Sequence, residues 1–340
     1  MRVRLLRDGE LRPARHFAIE EAILRGVAEG SSPPTLRIRR SIPAVWIGLF
    51  QRPEEDVDVE VARALDVPII RRYNPGGAVY QDEGTLCYSL FFSKAPFFES
   101  LGIEAPASLY SILGGAAIRA LRRFGAAAEL SPVNDVTIGG RKVYGSAQVE
   151  HYSAFVHSGS FLLSCDLDRM ATLLRPSALK YADRGFSSVR ERVINLSELA
   201  GSPVSPEAFA EALVTELSVA MCFELVESGL TEREYEETER LLVEKYGRPE
   251  WTYRRGERSA RVLSRRSPSG VMTLAATLDG NRIERAELRG DFLVADLRGL
   301  ESWVASLAGL SIPEAIARVT EAGLPADLAT TLVALLEELS

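Results

Sequence analysis

Between residues 35 and 144 the chain is a succession of short β-type runs, few of which are followed by a helix, and this constrains the fold more than any other feature. The runs cover 35–39, 44–50, 67–72, 78–80 and 86–92, then 133–138 and 141–144 around the two-residue turn Gly139-Gly140. Helical spacing of apolar residues in this half is confined to 16–28 and 108–124. A doubly wound parallel sheet needs a helix after each strand. The expected class is therefore α+β, with a mixed or antiparallel sheet and flanking helices.

Further along, the signals become helical. Ser205-Pro206-Glu207 predicts an N-cap and first-turn proline for a helix reaching about residue 226, and Thr231 with Glu234 forms a capping-box pattern before another that ends near 246. Gly247 to Trp251 breaks that helix and opens a polar, Arg- and Ser-rich stretch to about 269. This is the expected junction, crossed by few buried contacts and leaving the second domain free to move. Runs at 271–278 and 283–288 flank the turn Asp279-Gly280-Asn281, and two or three helices follow from 297. The expected division is 1–250 and a small α+β domain at 259–340, which suits a length of 340 residues.

A formal net charge of -7 and a pI near 5.3 argue against a protein that neutralises phosphate backbones, so no nucleic-acid partner is expected. The three cysteines have no CxxC spacing, which supports neither a disulfide framework nor a zinc cluster and points to the cytoplasm. The charged N-terminus lacks an apolar h-region and no uncharged run could cross a bilayer, so neither signal peptide nor membrane span is expected. All but four of the 40 basic residues are arginine, which singles out Lys94, Lys142, Lys180 and Lys245.

Two stretches carry candidate chemistry. In the first, Arg71-Arg72-Tyr73-Asn74-Pro75-Gly76-Gly77-Ala78-Val79-Tyr80, two arginines end a strand and a Gly-Gly turn follows. Glycines let a backbone approach a ligand closely and aim N–H groups at an anion, while arginines neutralise phosphate or carboxylate; the same pattern also fits an ordinary turn with solvated arginines. The second stretch runs from Asn134-Asp135 through Arg141-Lys142 to Gly145-Ser146-Ala147. It offers oxygen ligands of the kind Mg²⁺ takes, a lysine on a strand and a small-residue run with room for a bound group; alternatively it is a hairpin with an Asx turn.

In this order the two stretches resemble the lipoate-protein ligase family, whose catalytic domain shares its fold with biotin-protein ligases. Further matches are Val45-Trp-Ile-Gly-Leu-Phe-Gln, His157 before Gly159-Ser-Phe-Leu-Leu, Lys180 with Gly185-Phe-Ser-Ser-Val-Arg, and Arg192-Val-Ile-Asn-Leu. Trp251 and Gly290-Asp291-Phe292 resemble the small accessory domain of the two-domain ligases, so the likeness spans nearly the whole chain. The chain departs from the family at Asn74-Pro75, where Ser or Thr precedes three glycines, and at Gln81, where a histidine is usual. Proline removes one N–H from the loop, which bears on acyl-chain preference.

The resemblance implies activation of lipoate by ATP to lipoyl-adenylate and transfer to a lysine of lipoyl-domain acceptors, namely E2 subunits of 2-oxoacid dehydrogenases and the glycine-cleavage H protein. On that basis Lys142 holds the carboxylate and α-phosphate. Arg72, Gly76, Gly77, Ala78, Val79 and Tyr80, supported by Arg71, hold the adenylate, and Gly145, Ser146 and Ala147 leave room for it. Lys180 lies in a covering loop, and Asn134 with Asp135 orients Mg²⁺. Two other readings stand beside this one. An octanoyl or lipoyl transferase of the same fold would need a thioester-forming cysteine shortly before the lysine, and none lies between Cys87 and Cys165. A non-catalytic lipoate binder would not need Lys142.

Overall fold

Side-chain alternation determines which way each strand faces. In β2 (Thr35–Ser41), Leu36 and Ile38 point to one side and Arg37 and Arg39 to the other; in β6 (Thr85–Ser93), Leu86, Tyr88, Leu90 and Phe92 oppose Cys87, Ser89 and Phe91. The computed structural model describes residues 1–131, 134–177, 179, 188–201, 203–254, 261–294, 297–322 and 324–339. The remaining strands are β1 (Arg2–Leu11), β3 (Ala44–Ile47), β4 (Ile69–Arg71), β5 (Val79–Gln81), β7 (Glu129–Ser131), β8 (Asp135–Ile138), β9 (Arg141–His151), β10 (Ala154–Leu162), β11 (Glu224–Glu227), β12 (Arg261–Ser267), β13 (Gly270–Asp279) and β14 (Arg282–Gly290). Eight of them form a mixed sheet in the order β11-β1-β2-β6-β10-β9-β8-β7, with β1 parallel to both neighbours and the rest antiparallel. β4-β3-β5 and β12-β13-β14 make two smaller sheets.

The apolar face of the large sheet packs beneath the helices Ser108–Arg122 and Pro206–Met221, with Tyr88, Phe92, Leu113, Phe155 and Leu213 in one buried cluster. Helix Pro13–Glu29 covers part of the opposite face, where Phe17 and Ile23 join Phe91 and the small-sheet residues Trp46 and Ile70. The expected α+β class is what the chain adopts, and this second face holds the site.

Two expectations are corrected. Strands β1 and β11 were not anticipated: the helix from Ser205 ends at Met221, Cys222 takes a left-handed conformation (φ 51°), and the chain turns into β11 beside β1. The polar stretch before residue 269 is not simply a linker, since 261–267 is the edge strand β12. Contacts also cross to the first part of the chain. The Phe50 and Phe292 rings stack at 5.0 Å, Gly290 N–H donates to the Phe50 carbonyl at 3.0 Å, and Arg52 pairs with Glu287 at 2.7 Å. No helix among the described residues is long and apolar enough to cross a membrane.

Candidate active site

A cavity of about 650 Å³ lies between the second face of the large sheet, the loop 74–80 and the C-terminal segments 266–271 and 291–293, a volume suited to a small-molecule substrate. Its floor follows from strand register. Arg39 pairs with Cys87, Cys87 with Ser160, Ser160 with Gly145 and Gly145 with Asp135, so these five residues form one row across five strands on the same face. A buried sheet face normally carries bulky apolar side chains; here small and polar ones leave space.

Lys142 sits at the Asp135 end. Its ammonium lies 2.6 Å from Asp135 Oδ1, and Arg192 faces Oδ2 at 3.3 Å. Gly145 makes this possible, because a Cβ there would lie 2.3 Å from Lys142 Nζ. Two cations thus converge on one carboxylate beside the cavity, an arrangement that can hold and hand over anionic oxygens. Ser146 and Ala147 line the same wall.

The roles read for the paired arginines change. Arg71 does not line the cavity: its guanidinium donates to the carbonyls of Gly48, Leu49, Gln51, Trp251 and Thr252. Arg72 does reach the cavity, but its nitrogens donate to the Trp46, Pro75 and Gly77 carbonyls. Burial lowers both to about 10, which leaves them charged at neutral pH. They shape the loop and lend it positive potential; neither guanidinium is a bare anion contact. Gly76, Gly77, Ala78, Val79 and Tyr80 all line the cavity.

The Mg²⁺ pair also differs from expectation. Both Asp135 oxygens face cations, and the Asn134 amide donates to the Ser146 carbonyl at 2.5 Å. As placed, these side chains hold Lys142, Arg192 and the β8–β9 edge and do not fit a divalent ion. Lys180 lies outside the described residues, as does Gly185.

Sequence reasoning passed over Glu20, Arg39, Ser158 and Asp56, all lining the cavity. Local pattern could not show them: Glu20 lies on the helix Pro13–Glu29, and Arg39 and Ser158 alternate with an apolar face in β2 and β10 as residues of a solvated face do, whereas here that face is covered by the helix and the small sheet.

Asp56 shows the electrostatic cost of the site. Burial, with Asp291 as a smaller like-charge contribution, raises its pKa to about 6 against the hydrogen bond from Gln51. The folded state therefore binds this proton more tightly than the unfolded chain does. Stability from this group is full below pH 4 and lost as pH rises to 6. Asp56→Asn is expected to be more stable than the parent at pH 7.5 by about 2 kcal/mol, with the gap closing toward pH 4. Thermal melts across that range check this, and a constant gap would refute it.

With this geometry in view, comparison with known proteins gives the family. The profile of the lipoyl protein ligase A/B catalytic domain matches residues 12–218, and the chain belongs to that family. Its relatives include lipoate–protein ligase 1 of Staphylococcus aureus, 27% identical over 299 residues and 85% of each chain. Another is the octanoyltransferase LipM of Kyrpidia tusciae, 30% identical over 74% of this chain and 98% of the relative. A crystal structure of lipoate-protein ligase A bound with ATP superposes with a TM-score of 0.64 at 28% identity, covering 74% of this chain and 99% of that one.

Proposed function

We propose that the chain is an ATP-dependent acid–protein ligase of the lipoate type. The carboxylate of the acid attacks the α-phosphorus of ATP and pyrophosphate leaves. The amine of an acceptor lysine on a lipoyl domain then attacks the acyl carbon; AMP departs, the amine gives up a proton, and an amide is formed. Both steps crowd anionic oxygens together, so catalysis rests on positioning and charge, with Lys142 and Arg192 supplying the charge and the loop 76–80 cradling the nucleotide. The C-terminal wall at 266–271 closes the cavity and would have to shift to admit the acceptor lysine.

The observation that carries this reading is the Lys142–Asp135–Arg192 cluster in a cavity with no activated thiol among the described residues. A relative that is an octanoyltransferase makes the alternative specific. Cys87 does line the cavity, yet burial raises its pKa and its Sγ–H donates to Gln81 Oε1 at 3.2 Å; Cys165 is pushed up further, by burial and Asp82. A nucleophilic cysteine needs its thiolate stabilised; at Cys87 burial outweighs the help of Arg39 and Ser160, and at Cys165 burial and Asp82 act together against it. The support is thus for adenylation. The test is pyrophosphate release from ATP that depends on added acid, without acceptor protein. Acyl transfer from an acyl-carrier protein without ATP, abolished by Cys87→Ala, would replace this reading with the transferase.

A further inference from the structure

The segment Pro249–Thr252, which the sequence presents as a helix break, is locked onto the end of β4, the strand that leads into the loop 74–80. The Trp251 indole N–H donates to the Arg71 carbonyl at 2.8 Å, and the Arg71 backbone N–H donates to Thr252 Oγ1 at 3.4 Å. The Arg71 side chain returns two bonds, from Nε to the Trp251 carbonyl at 3.0 Å and from Nη2 to the Thr252 carbonyl at 2.8 Å. Trp251 has anchors of its own. The Lys245 ammonium and the Arg254 guanidinium carbon lie 4.1 and 4.0 Å from its ring centre, and Lys245 is fixed by buried Glu21 at 2.6 Å.

The same guanidinium also reaches the other way, where Nη1 donates to the carbonyls of Gly48, Leu49 and Gln51 at 3.2, 2.7 and 2.5 Å. Arg71 is 2% exposed, and its donors go to carbonyls of two segments about as far apart in sequence as 48–51 and 251–252. Replacing it takes a donor from five carbonyls at once. Those carbonyls matter because of what their residues touch. Gly48 abuts Gly76 too closely for a Cβ, and Leu49 N–H donates to the Asn74 carbonyl at 3.0 Å. A chain of contacts thus runs from Trp251 through Arg71 and Gly48 to the glycines of the loop, although neither Arg71 nor Trp251 lines the cavity.

We propose that Arg71 and Trp251 are positioning residues, a clasp by which the segment 249–252 sets the place of the nucleotide loop 76–80 and so the affinity for ATP. This rests on the reading of that loop as the nucleotide cradle. The clasp works through shape. A planar guanidinium bridges two segments with five donors, whereas an ammonium carries three on a single nitrogen.

The test is calorimetric titration of the full chain with ATP and, separately, with lipoate, for the parent protein, Arg71→Lys and Trp251→Phe, with melting temperatures recorded. Arg71→Lys keeps the charge and loses the fork; it is expected to bind ATP about tenfold more weakly while lipoate affinity stays within about twofold. Trp251→Phe keeps a ring beside Lys245 and loses the indole donor, so its ATP affinity should fall about threefold with lipoate unchanged. A charge acting directly on phosphate would survive as lysine. ATP binding by folded Arg71→Lys as tight as the parent's therefore overturns the proposal, and so does an equal loss of ATP and lipoate affinity, which is what general loosening gives. Unchanged ATP affinity in Trp251→Phe overturns the part given to Trp251 and, should Arg71→Lys fail to fold, the clasp itself. A parent protein that binds no ATP removes the nucleotide-cradle reading beneath the proposal, whereas ATP binding without acid-dependent pyrophosphate release leaves the clasp standing and removes the ligase reading instead.

Discussion

Replacing Lys142 by alanine is expected to lower acid-dependent pyrophosphate release about a hundredfold, the cost of removing one charge placed for a transition state, while the melting temperature moves little. The ammonium is the mobile member of its cluster, on a flexible stem whose side chain is 28% exposed, lying over Gly145 with no side chain beneath it. Arg192 remains to face Asp135 after the substitution, so no carboxylate is left without a cation. Lys94→Ala is the control: its amine pairs with Glu150 at 2.7 Å, neither residue lines the cavity, and turnover should stay within twofold. Lys142→Arg separates charge from shape. A planar guanidinium cannot follow charge from carboxylate to phosphate as an ammonium does, so it should recover binding more than rate. Near-normal release by folded Lys142→Ala would remove this lysine from the mechanism.

Much of this arrangement was legible in the sequence, and what was not has physical reasons. The β2, β6 and β8 runs, the hairpins at Gly139-Gly140 and Gly280, and the capping box at Thr231 all depend on local chemistry, which a sequence displays directly. Strand β1 escaped because Arg2, Arg4 and Arg7 make it look like solvated surface. Arg4 is in fact buried, its guanidinium held by both oxygens of Glu234 at 2.6 and 2.7 Å. A partner 230 residues away cannot be read from local charge. The same limit applies to Arg71 and Arg72, whose pattern suits an anion but whose donors go to carbonyls from Trp46 to Thr252. Lys142 stood out because lysine is scarce here. Arg39 did not, being one more arginine in an arginine-rich chain whose alternation with Leu36 and Ile38 reads as the solvated face of a strand.

The second large effect is expected at a glycine that touches no ligand. A Cβ on Gly48 would lie 1.9 Å from the Gly76 carbonyl oxygen and 3.0 Å from its carbon, so alanine there cannot be accommodated by a side-chain rotation; the loop itself must move. That loop has little freedom to yield. Gly76 has φ +102°, the Asn74 carbonyl accepts from Leu49 N–H at 3.0 Å, and Arg72 ties down the Pro75 and Gly77 carbonyls. Gly48 is held from the other side, its N–H on Gln51 Oε1 and its carbonyl on Arg71. Gly48→Ala is therefore expected to cost about 2–3 kcal/mol of stability, as backbone overpacking does, and to abolish detectable nucleotide binding by moving the loop away from the cavity. Gly115→Ala is the matched comparison. It lies in the helix Ser108–Arg122, where the nearest contact of a new Cβ is the end of Arg119 at 3.6 Å, and it should gain about 0.5–1 kcal/mol from helix propensity. Chemical denaturation of both variants, with ATP titrated into each, decides the matter: retained ATP binding by Gly48→Ala would mean that the contact between Gly48 and Gly76 does not set the loop's position.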